Sequence, residues 1–474
     1  MARLLVRADG NSQIGYGHLM RCMAIANENV FSEIVWFSND PIEDLLSENL
    51  NTAFSFVKID NEKTFFHALS AEDFVVLDGY YFDLAYQKQL KQTGATLILI
   101  DDLAANPVCA DIIINPSHGV AAKQYQNEIA GIYLLGIEYA ILRAPFLALA
   151  QQEQLIKEPG SVLICMGGAD PANFTQRVLT SCLTAPFTRI HVVIGGAYSH
   201  PNPENQFADS RIKFHGHLSA EDMAALMRKC EFGIYPASGI LLEGLAAQQQ
   251  IITGTTAENQ REVYRGHLSL GTVIGAGHFR EDEMKSALQN LSSFDNSTNL
   301  IDGLSIQRIW KVISRLEKAQ DLVLRRADTK DLHHTYEWAT DQNVRRFALT
   351  KHHISFAEHQ NWFEQKIKSN SCYYYILEEN REPIGSIRFD LIDSFAQISY
   401  LLGSAAQGKG LGLLLLQKGM NQLLNEAKLP EFSAFLGEVL PENTRSIRIF
   451  EQLGFETENH QVPIRFTRKQ AKHV

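Results

Sequence analysis

The chain has 474 residues, of which 45% are hydrophobic and 20% charged, and 43 Lys and Arg against 54 Asp and Glu leave a formal net charge of −11. This composition is that of a water-soluble globular protein of about three domains. It excludes a general nucleic-acid binder, which needs a basic stripe to displace phosphate counterions. No stretch approaches the roughly 18 apolar residues of a membrane span, and the opening run MARLLV meets Arg7 and Asp9 too soon for a secretion signal, so a cytoplasmic protein is expected. The six cysteines, at 22, 109, 165, 182, 230 and 372, contain no C-x-x-C pair and sit mostly in apolar runs. Buried free thiols are expected there, not zinc ligands or disulfides.

Residues 1–152 alternate strands with helices. Leu4, Leu5 and Val6 open as a strand, Gly15-Tyr16-Gly17-His18 forms a loop tip, and Leu19, Met20, Met23 and Ala24 recur at helical spacing. Glycines such as Gly17 between a first strand and a first helix let a diphosphate or sugar approach the backbone. His18 falls at the helix start, where the dipole disfavours the imidazolium and leaves the ring available as a base. Read alone, the same stretch equally suits a glycine-rich turn whose histidine fills a loop. Further strands are expected at Glu33–Ser38, Phe74–Leu77, Thr96–Ile100 and Ala110–Ile114, with helices around Pro41–Glu48 and Phe82–Gln92. Apolar strands separated by helices indicate a parallel sheet covered on both faces, with ligands beyond the carboxyl ends of its strands. His18, Asp78, Tyr80, Asp101 and Asp102 all fall at those ends; for the two adjacent aspartates, capping and solvation fit equally well.

After the polar stretch QQEQLIKEPG, a second unit of the same kind begins at 158. Ser161–Met166 is a buried strand leading into Gly167-Gly168-Ala169-Asp170-Pro171. An amphipathic helix over Ser219–Cys230 carries Ser219 as its cap with Asp222 three residues on. Phe232–Tyr235 is a strand, after which Ser238-Gly239 opens a helix bearing Glu243. The turn at Ser238 and Gly239 offers backbone N–H groups to a phosphate, Glu243 is suited to ribose hydroxyls, and Asn259 and Gln260 to a base edge or sugar. Each also fits an ordinary cap, turn or surface helix.

In this order the motifs resemble the two-domain GT-B fold and, within it, the UDP-sugar hydrolase family of pseudaminic acid biosynthesis (the PseG family). The matching stretches are RADGNSQIGYGHLMRC, VVLDGY, ICMGGADP, ASGILLEGLAAQ, AENQ and IDGLSIQRI, which together cover residues 1–318. The resemblance implies a Rossmann-like domain at 1–152, a UDP-binding domain at 158–318, and metal-free cleavage of UDP from a 2,4-diacetamido-2,4,6-trideoxy-β-L-altropyranose. It implies that His18 orients or deprotonates the attacking water, that Asp78 and Tyr80 face the sugar, and that Gly168, Asp170, Ser238, Gly239, Glu243 and Asn259 hold UDP.

Past a charged helix over 302–318, a strand begins at 321 and a helix is expected over Ala327–Trp338. Two strands flank a polar turn at 378–382, and Gln397–Leu402 forms a third. It runs into Gln407-Gly408-Lys409-Gly410-Leu411-Gly412 and an apolar helix, Leu413–Leu424. Glycines at this spacing allow successive backbone N–H groups to point at one pyrophosphate. With ENTRSIRIFEQLGF at 442–455, these features resemble the GNAT acetyltransferase family over 321–474, an α+β domain. The resemblance implies that the loop from Gln407 to Gly412 holds the pyrophosphate of acetyl-CoA, the co-substrate. Asn443 and Ser446 would flank its pantetheine arm, and the backbone at Leu401 and Leu402 would polarise the thioester. Phe450 stands where many members carry a tyrosine that protonates the leaving thiolate; Tyr400 is the candidate to replace it. Glu442 is a candidate base or a helix-start charge.

The two resemblances together imply consecutive steps on one UDP-linked amino sugar. Acetylation of its 4-amino group, as in the PseH family, would come first and UDP removal second. Two alternatives follow from the same residues: a glycosyltransferase in the N-terminal half, or a C-terminal module that binds without catalysis.

Overall fold

The computed structural model describes residues 2–11, 15–28, 30–216, 218–291, 294, 300–426, 432–458 and 462–470; positions 12–14 of the opening loop lie outside them. Three sheets follow one another along the chain. The first has seven strands, in spatial order Ser55–Lys58, Ile34–Ser38, Leu4–Ala8, Phe74–Asp78, Thr96–Ile100, Ile112–Asn115 and Ile132–Leu135, all parallel. Helices cover both faces, which is why Leu4, Leu5 and Val6 are a continuous apolar run with no exposed member. Strand order reverses at Leu4–Ala8, between Ile34–Ser38 on one side and Phe74–Asp78 on the other, and a reversal of this kind opens a crevice at the strands' carboxyl ends.

The second sheet repeats the scheme with six parallel strands: Ile212–His215, Arg189–Val193, Glu158–Ile164, Cys230–Pro236, Gln250–Gly254 and Ile274–Gly275. Its reversal lies between Glu158–Ile164 and Cys230–Pro236. Both units are Rossmann-like. The expected helix after Ser219 runs over Ala220–Lys229, with Ser219 Oγ accepting from the Asp222 backbone N–H at 3.1 Å. All six cysteines are buried.

The third sheet is mixed, in the order Val323–Arg326, Cys372–Glu379, Glu382–Ile392, Phe395–Leu402, Ala434–Val439, Ile464–Lys469 and Glu456–Thr457. Its one parallel pair, Phe395–Leu402 with Ala434–Val439, is laddered only from Phe395↔Ala434 to Gln397↔Leu436. Beyond Gln397 the two strands part, leaving a cleft beside Tyr400, Leu401 and Leu402.

Some elements lay outside the sequence reading. Ser55–Lys58 is a half-exposed edge strand without an apolar run, and in the helix Phe356–Lys368 only His359 and Phe363 are buried. The helix expected over Ala327–Trp338 starts later, at Leu332, and ends at Thr340, because Asp328 instead caps a tight turn over Thr329–Asp331 by accepting from the Lys330 N–H.

The helix Ser305–Lys318 returns to the first unit, where Trp310 Nε1 donates to the Ile25 carbonyl at 2.8 Å and Ser305 Oγ to that of Ala140 at 2.6 Å. The C-terminal unit is docked on the same first unit. Gln417 Nε2 donates to the Asp111 carbonyl at 3.1 Å, Asn421 Oδ1 accepts from the Ala130 N–H at 2.7 Å, and Arg468 donates to the Ile129 carbonyl at 2.9 Å.

In the second sheet His191 Nδ1 lies 2.9 Å from His215 Nε2, with the rings stacked 5.2 Å apart. Burial first, and then its histidine neighbour, lowers His191 from 6.5 to about 4. The unfolded chain therefore binds this proton more readily than the folded one, so the stabilisation is complete above 6.5 and is lost as pH falls toward 4. Thermal melts across that window are expected to show Tm falling with pH, and His191→Gln to flatten the slope.

Candidate active sites

The first site grows from the reversal point of the first sheet. The helix Gly17–Ala26 begins just past Leu4–Ala8, with His18 in its first turn and Arg21 three residues on, hence on the same face. Both reach Asp78, the last residue of Phe74–Asp78. His18 Nδ1 lies 2.7 Å from Asp78 Oδ1, and Arg21 donates to the two carboxylate oxygens at 2.8 and 3.0 Å. Arg21 Nη2 also lies 2.9 Å from His18 Nδ1, so Asp78 and Arg21 meet at the same ring nitrogen and Nε2 is left on the other side of the ring. The helix dipole invoked from sequence is thus joined by a direct carboxylate partner for the ring.

Arg21 continues the chain of contacts, donating to Asp102 at 3.1 Å. Tyr80 Oη donates to the same Asp102 oxygen at 3.0 Å, and Asn259 Nδ2 of the second unit donates to Tyr80 Oη at 2.9 Å. The Tyr80 ring meets His18 edge-on at 4.9 Å. Burial works against the Arg21 charge, but Asp78 and Asp102 carry the guanidinium above its ordinary value. Burial, followed by Asp102, pushes Tyr80 up to about 12, so it enters the site as a neutral donor. The second Asp102 oxygen is buried without a partner and faces unmet hydrogen-bonding demand. Arg21 escaped the sequence reading, although its i+3 spacing from His18 was available as a signal.

Across the cleft, Gly167, Gly168 and Gly239 present bare faces: a Cβ on any of them would meet nothing within 4 Å. Gly239 starts the helix Gly239–Ala246, and Ser238 before it makes no side-chain cap bond. Three expected ligands have other employment. Asp170 is buried and accepts from the Phe174 and Thr175 N–H groups at 2.8 Å each, so its carboxylate caps a helix. Glu243 takes a two-pronged pair from Arg143 of the first unit at 2.8 and 2.9 Å; burial raises its carboxyl while Arg143 opposes the rise. Gln260 turns its Oε1 back to the Thr256 N–H at 2.7 Å. Asn259 alone of the expected amides reaches across to the first unit.

In the C-terminal unit, Gly408 and Gly410 both have φ of +79°, and Gly410 caps the helix Leu411–Asn425. Gln407 donates back to the Leu402 carbonyl at 3.1 Å, Lys409 is exposed, and buried Gly412 lets Ile449 and Tyr400 close in. Asn443 caps the helix Thr444–Gln452 by accepting from the Ser446 N–H at 3.3 Å. Phe450 is buried against Gly437, Phe455 and Phe466, its ring stacked on that of Phe466 at 5.3 Å. Its position in the helix faces the core.

Tyr400 meets the Phe450 ring edge-on, with ring centroids 6.4 Å apart. Its hydroxyl lies 2.7 Å from Ser446 Oγ, and burial pushes it up to about 12. It lines a cavity of about 360 Å³ with Leu401, Arg345, His352, Glu358, His359, Trp362 and Arg388. Arg388 stacks over Trp362 at 4.8 Å and pairs with Asp390 at 2.8 Å, whereas Arg345 donates to the Thr350 and His352 carbonyls at 2.6 and 2.7 Å. Burial holds His359 below its ordinary value and so neutral. Glu442 is exposed and does not line the cavity. Among the described residues no group of three or more His, Cys, Asp or Glu is arranged to hold a metal, and no helix is long and apolar enough to cross a membrane.

Residues 321–456 match the acetyltransferase (GNAT) domain family. An uncharacterized protein of Methanocaldococcus jannaschii is 24% identical across 96% of both chains. The UDP-2,4-diacetamido-2,4,6-trideoxy-β-L-altropyranose hydrolase of Campylobacter jejuni is 25% identical over 51% of this chain and 88% of its own. The spermidine N-acetyltransferase of Vibrio cholerae, solved with CoA and spermine, is 20% identical over 32% of this chain and 97% of that one, with a TM-score of 0.29. The chain therefore joins an N-terminal half similar to a UDP-sugar hydrolase to a C-terminal domain of the GNAT acetyltransferase family.

Proposed function

We propose that the protein carries out two consecutive steps on one nucleotide-linked amino sugar of the pseudaminic acid type. The GNAT domain acetylates the 4-amino group of UDP-4-amino-4,6-dideoxy-N-acetyl-β-L-altrosamine, and the N-terminal half then hydrolyses the product to UDP and the free 2,4-diacetamido sugar. The observation that carries this reading is the contact of His18 with Asp78 at the reversal point of the first sheet, beside Tyr80, which Asn259 of the second unit reaches.

In the hydrolytic step, water attacks the anomeric carbon and gives its proton to His18 Nε2. The bond from that carbon to the phosphate oxygen breaks, and its electron pair leaves with UDP. Asp78 holds the ring's orientation and stabilises the imidazolium. Backbone N–H groups at Gly168 and Gly239 meet the leaving diphosphate, which is a good enough leaving group to need positioning more than acid catalysis. The unpartnered Asp102 oxygen is suited to a sugar hydroxyl or amide N–H.

In the acetyl transfer, the loop from Gly408 to Gly412 holds the acetyl-CoA pyrophosphate. The amine nitrogen attacks the thioester carbon, CoA leaves as the thiolate, and Tyr400 donates its proton to the sulfur. Glu358 and neutral His359 line the cavity as the groups able to take the amine's proton. Among the described residues Arg345 has carbonyl partners only, which leaves its charge for a diphosphate-bearing acceptor. Tyr400→Phe is expected to lower acetyl-transfer kcat by roughly 10²–10⁴-fold with little change in the KM for acetyl-CoA, measured by CoA release.

The proposal as a whole is tested by one incubation of the purified chain with the UDP-linked 4-amino sugar, with and without acetyl-CoA, following CoA and UDP together. UDP that appears only with acetyl-CoA, and after CoA, supports the series. CoA without UDP removes the hydrolase reading and returns the N-terminal half to a glycosyltransferase awaiting an acceptor.

A further inference from the structure

The helix Ser305–Lys318 belongs to the N-terminal half by its anchors. Trp310 donates to the Ile25 carbonyl, and Arg308 donates to the Glu138 carbonyl at 3.1 Å. Its last turn nevertheless ends at the glycine loop of the GNAT domain. A Cβ built on Gly410 would lie 2.5 Å from Arg315 Nε and 2.8 Å from Arg315 Cζ, so the guanidinium rests directly on the glycine's bare backbone. Among the described residues no carboxylate pairs with Arg315 and no group accepts a hydrogen bond from it, although this chain gives most of its half-buried arginines such a partner. A half-buried, unpaired guanidinium beside a loop with two left-handed glycines is a cation awaiting an anion.

We propose that Arg315 is a phosphate ligand of the acetyl-CoA site, contributed by the hydrolase half to the acetyltransferase half. The inference rests on the acetyl-CoA reading of the loop given above. The planar fork of Arg315 donates two N–H groups to phosphate oxygens that the loop's backbone N–H groups hold from the other side. Gly410 serves two ends: its φ of +79° turns the loop, and its missing side chain makes the room through which Arg315 reaches the phosphates. Acetyl-CoA then touches both halves of the chain, and the acetyltransferase site is complete only with the helix that precedes residue 321.

The test is calorimetric titration of the full chain with CoA, and with pantetheine, which lacks every phosphate. Arg315→Ala is expected to weaken CoA binding by roughly 10- to 100-fold, to leave pantetheine binding in place, and to reduce the salt dependence of the CoA affinity. Arg315→Lys, which keeps the charge without the fork, is expected to fall between. A fold defect would weaken both ligands alike, so the ratio of the two affinities is the readout. An unchanged CoA-to-pantetheine ratio in both variants overturns the assignment of Arg315. Failure of the unsubstituted chain to bind CoA is a different result, and it overturns the acetyl-CoA reading itself.

Discussion

His18→Asn is expected to lower the rate of UDP release by about 10²–10⁴-fold, the range of a lost general base. Asparagine can still offer an N–H to Asp78 from roughly the position of Nδ1, so the contact at 2.7 Å has a substitute and the helix start keeps its shape. Nothing then stands where Nε2 stood to take the proton from water. Arg21 remains on both Asp78 oxygens, so the carboxylate is not left as an unpaired buried charge. The loss should therefore fall on kcat more than on KM, while CoA release by the other half continues. UDP release under saturating substrate, with CoA release in the same vessel, makes the measurement. A variant within about threefold of the parent rate would remove the base role from His18.

Gly410→Trp is expected to cut acetyl transfer to roughly a hundredth or less of its rate, the loss following from two independent strains. A side chain at φ of +79° costs about 1–2 kcal/mol in the backbone alone. The indole would also occupy the space of the Arg315 guanidinium and of the phosphates the loop receives. The proposed UDP-releasing site has no atom in this loop, so hydrolysis of the already acetylated sugar is expected to persist. Separate assays of the two half-reactions check this, and loss of both activities in a folded variant would overturn the assignment of two distinct sites.

What the sequence makes legible here is what neighbours along the chain decide. His18 follows a strand and opens a helix within a few residues, Asp78 closes an apolar run, and the glycines from 408 to 412 lie between a strand and a helix. Each is fixed by local pattern, and His18 and Asp78 sit in the crevice that parallel-sheet topology predicts. The remainder depends on meetings between distant segments. Asn259 reaches Tyr80 across 179 positions and Arg143 finds Glu243 across 100. No local pattern distinguishes a glutamate free to meet ribose from one already held by an arginine. Phe450 shows the same limit on a smaller scale. Its place in the motif is legible, but which way a helix turns its aromatic is settled by Gly437 and Phe466, which the fold brings beneath it.

For the two consecutive steps proposed above, the contacts that dock the C-terminal unit have a kinetic meaning. Gln417, Asn421 and Arg468 bond to main-chain groups of the first unit, and Gly454 lies so close to Tyr133 that a Cβ would come within 2.6 Å of the ring. Residues 319 and 322, where the halves join, are buried. The join is thus a surface and not a leash. For two sites on a leash, the concentration one product presents to the next site follows linker length. Here it follows a separation set by packing, so the lag between CoA and UDP would be written into the footprint around Tyr133, and an insertion that lengthened the connection without disturbing that footprint would leave the lag where it was.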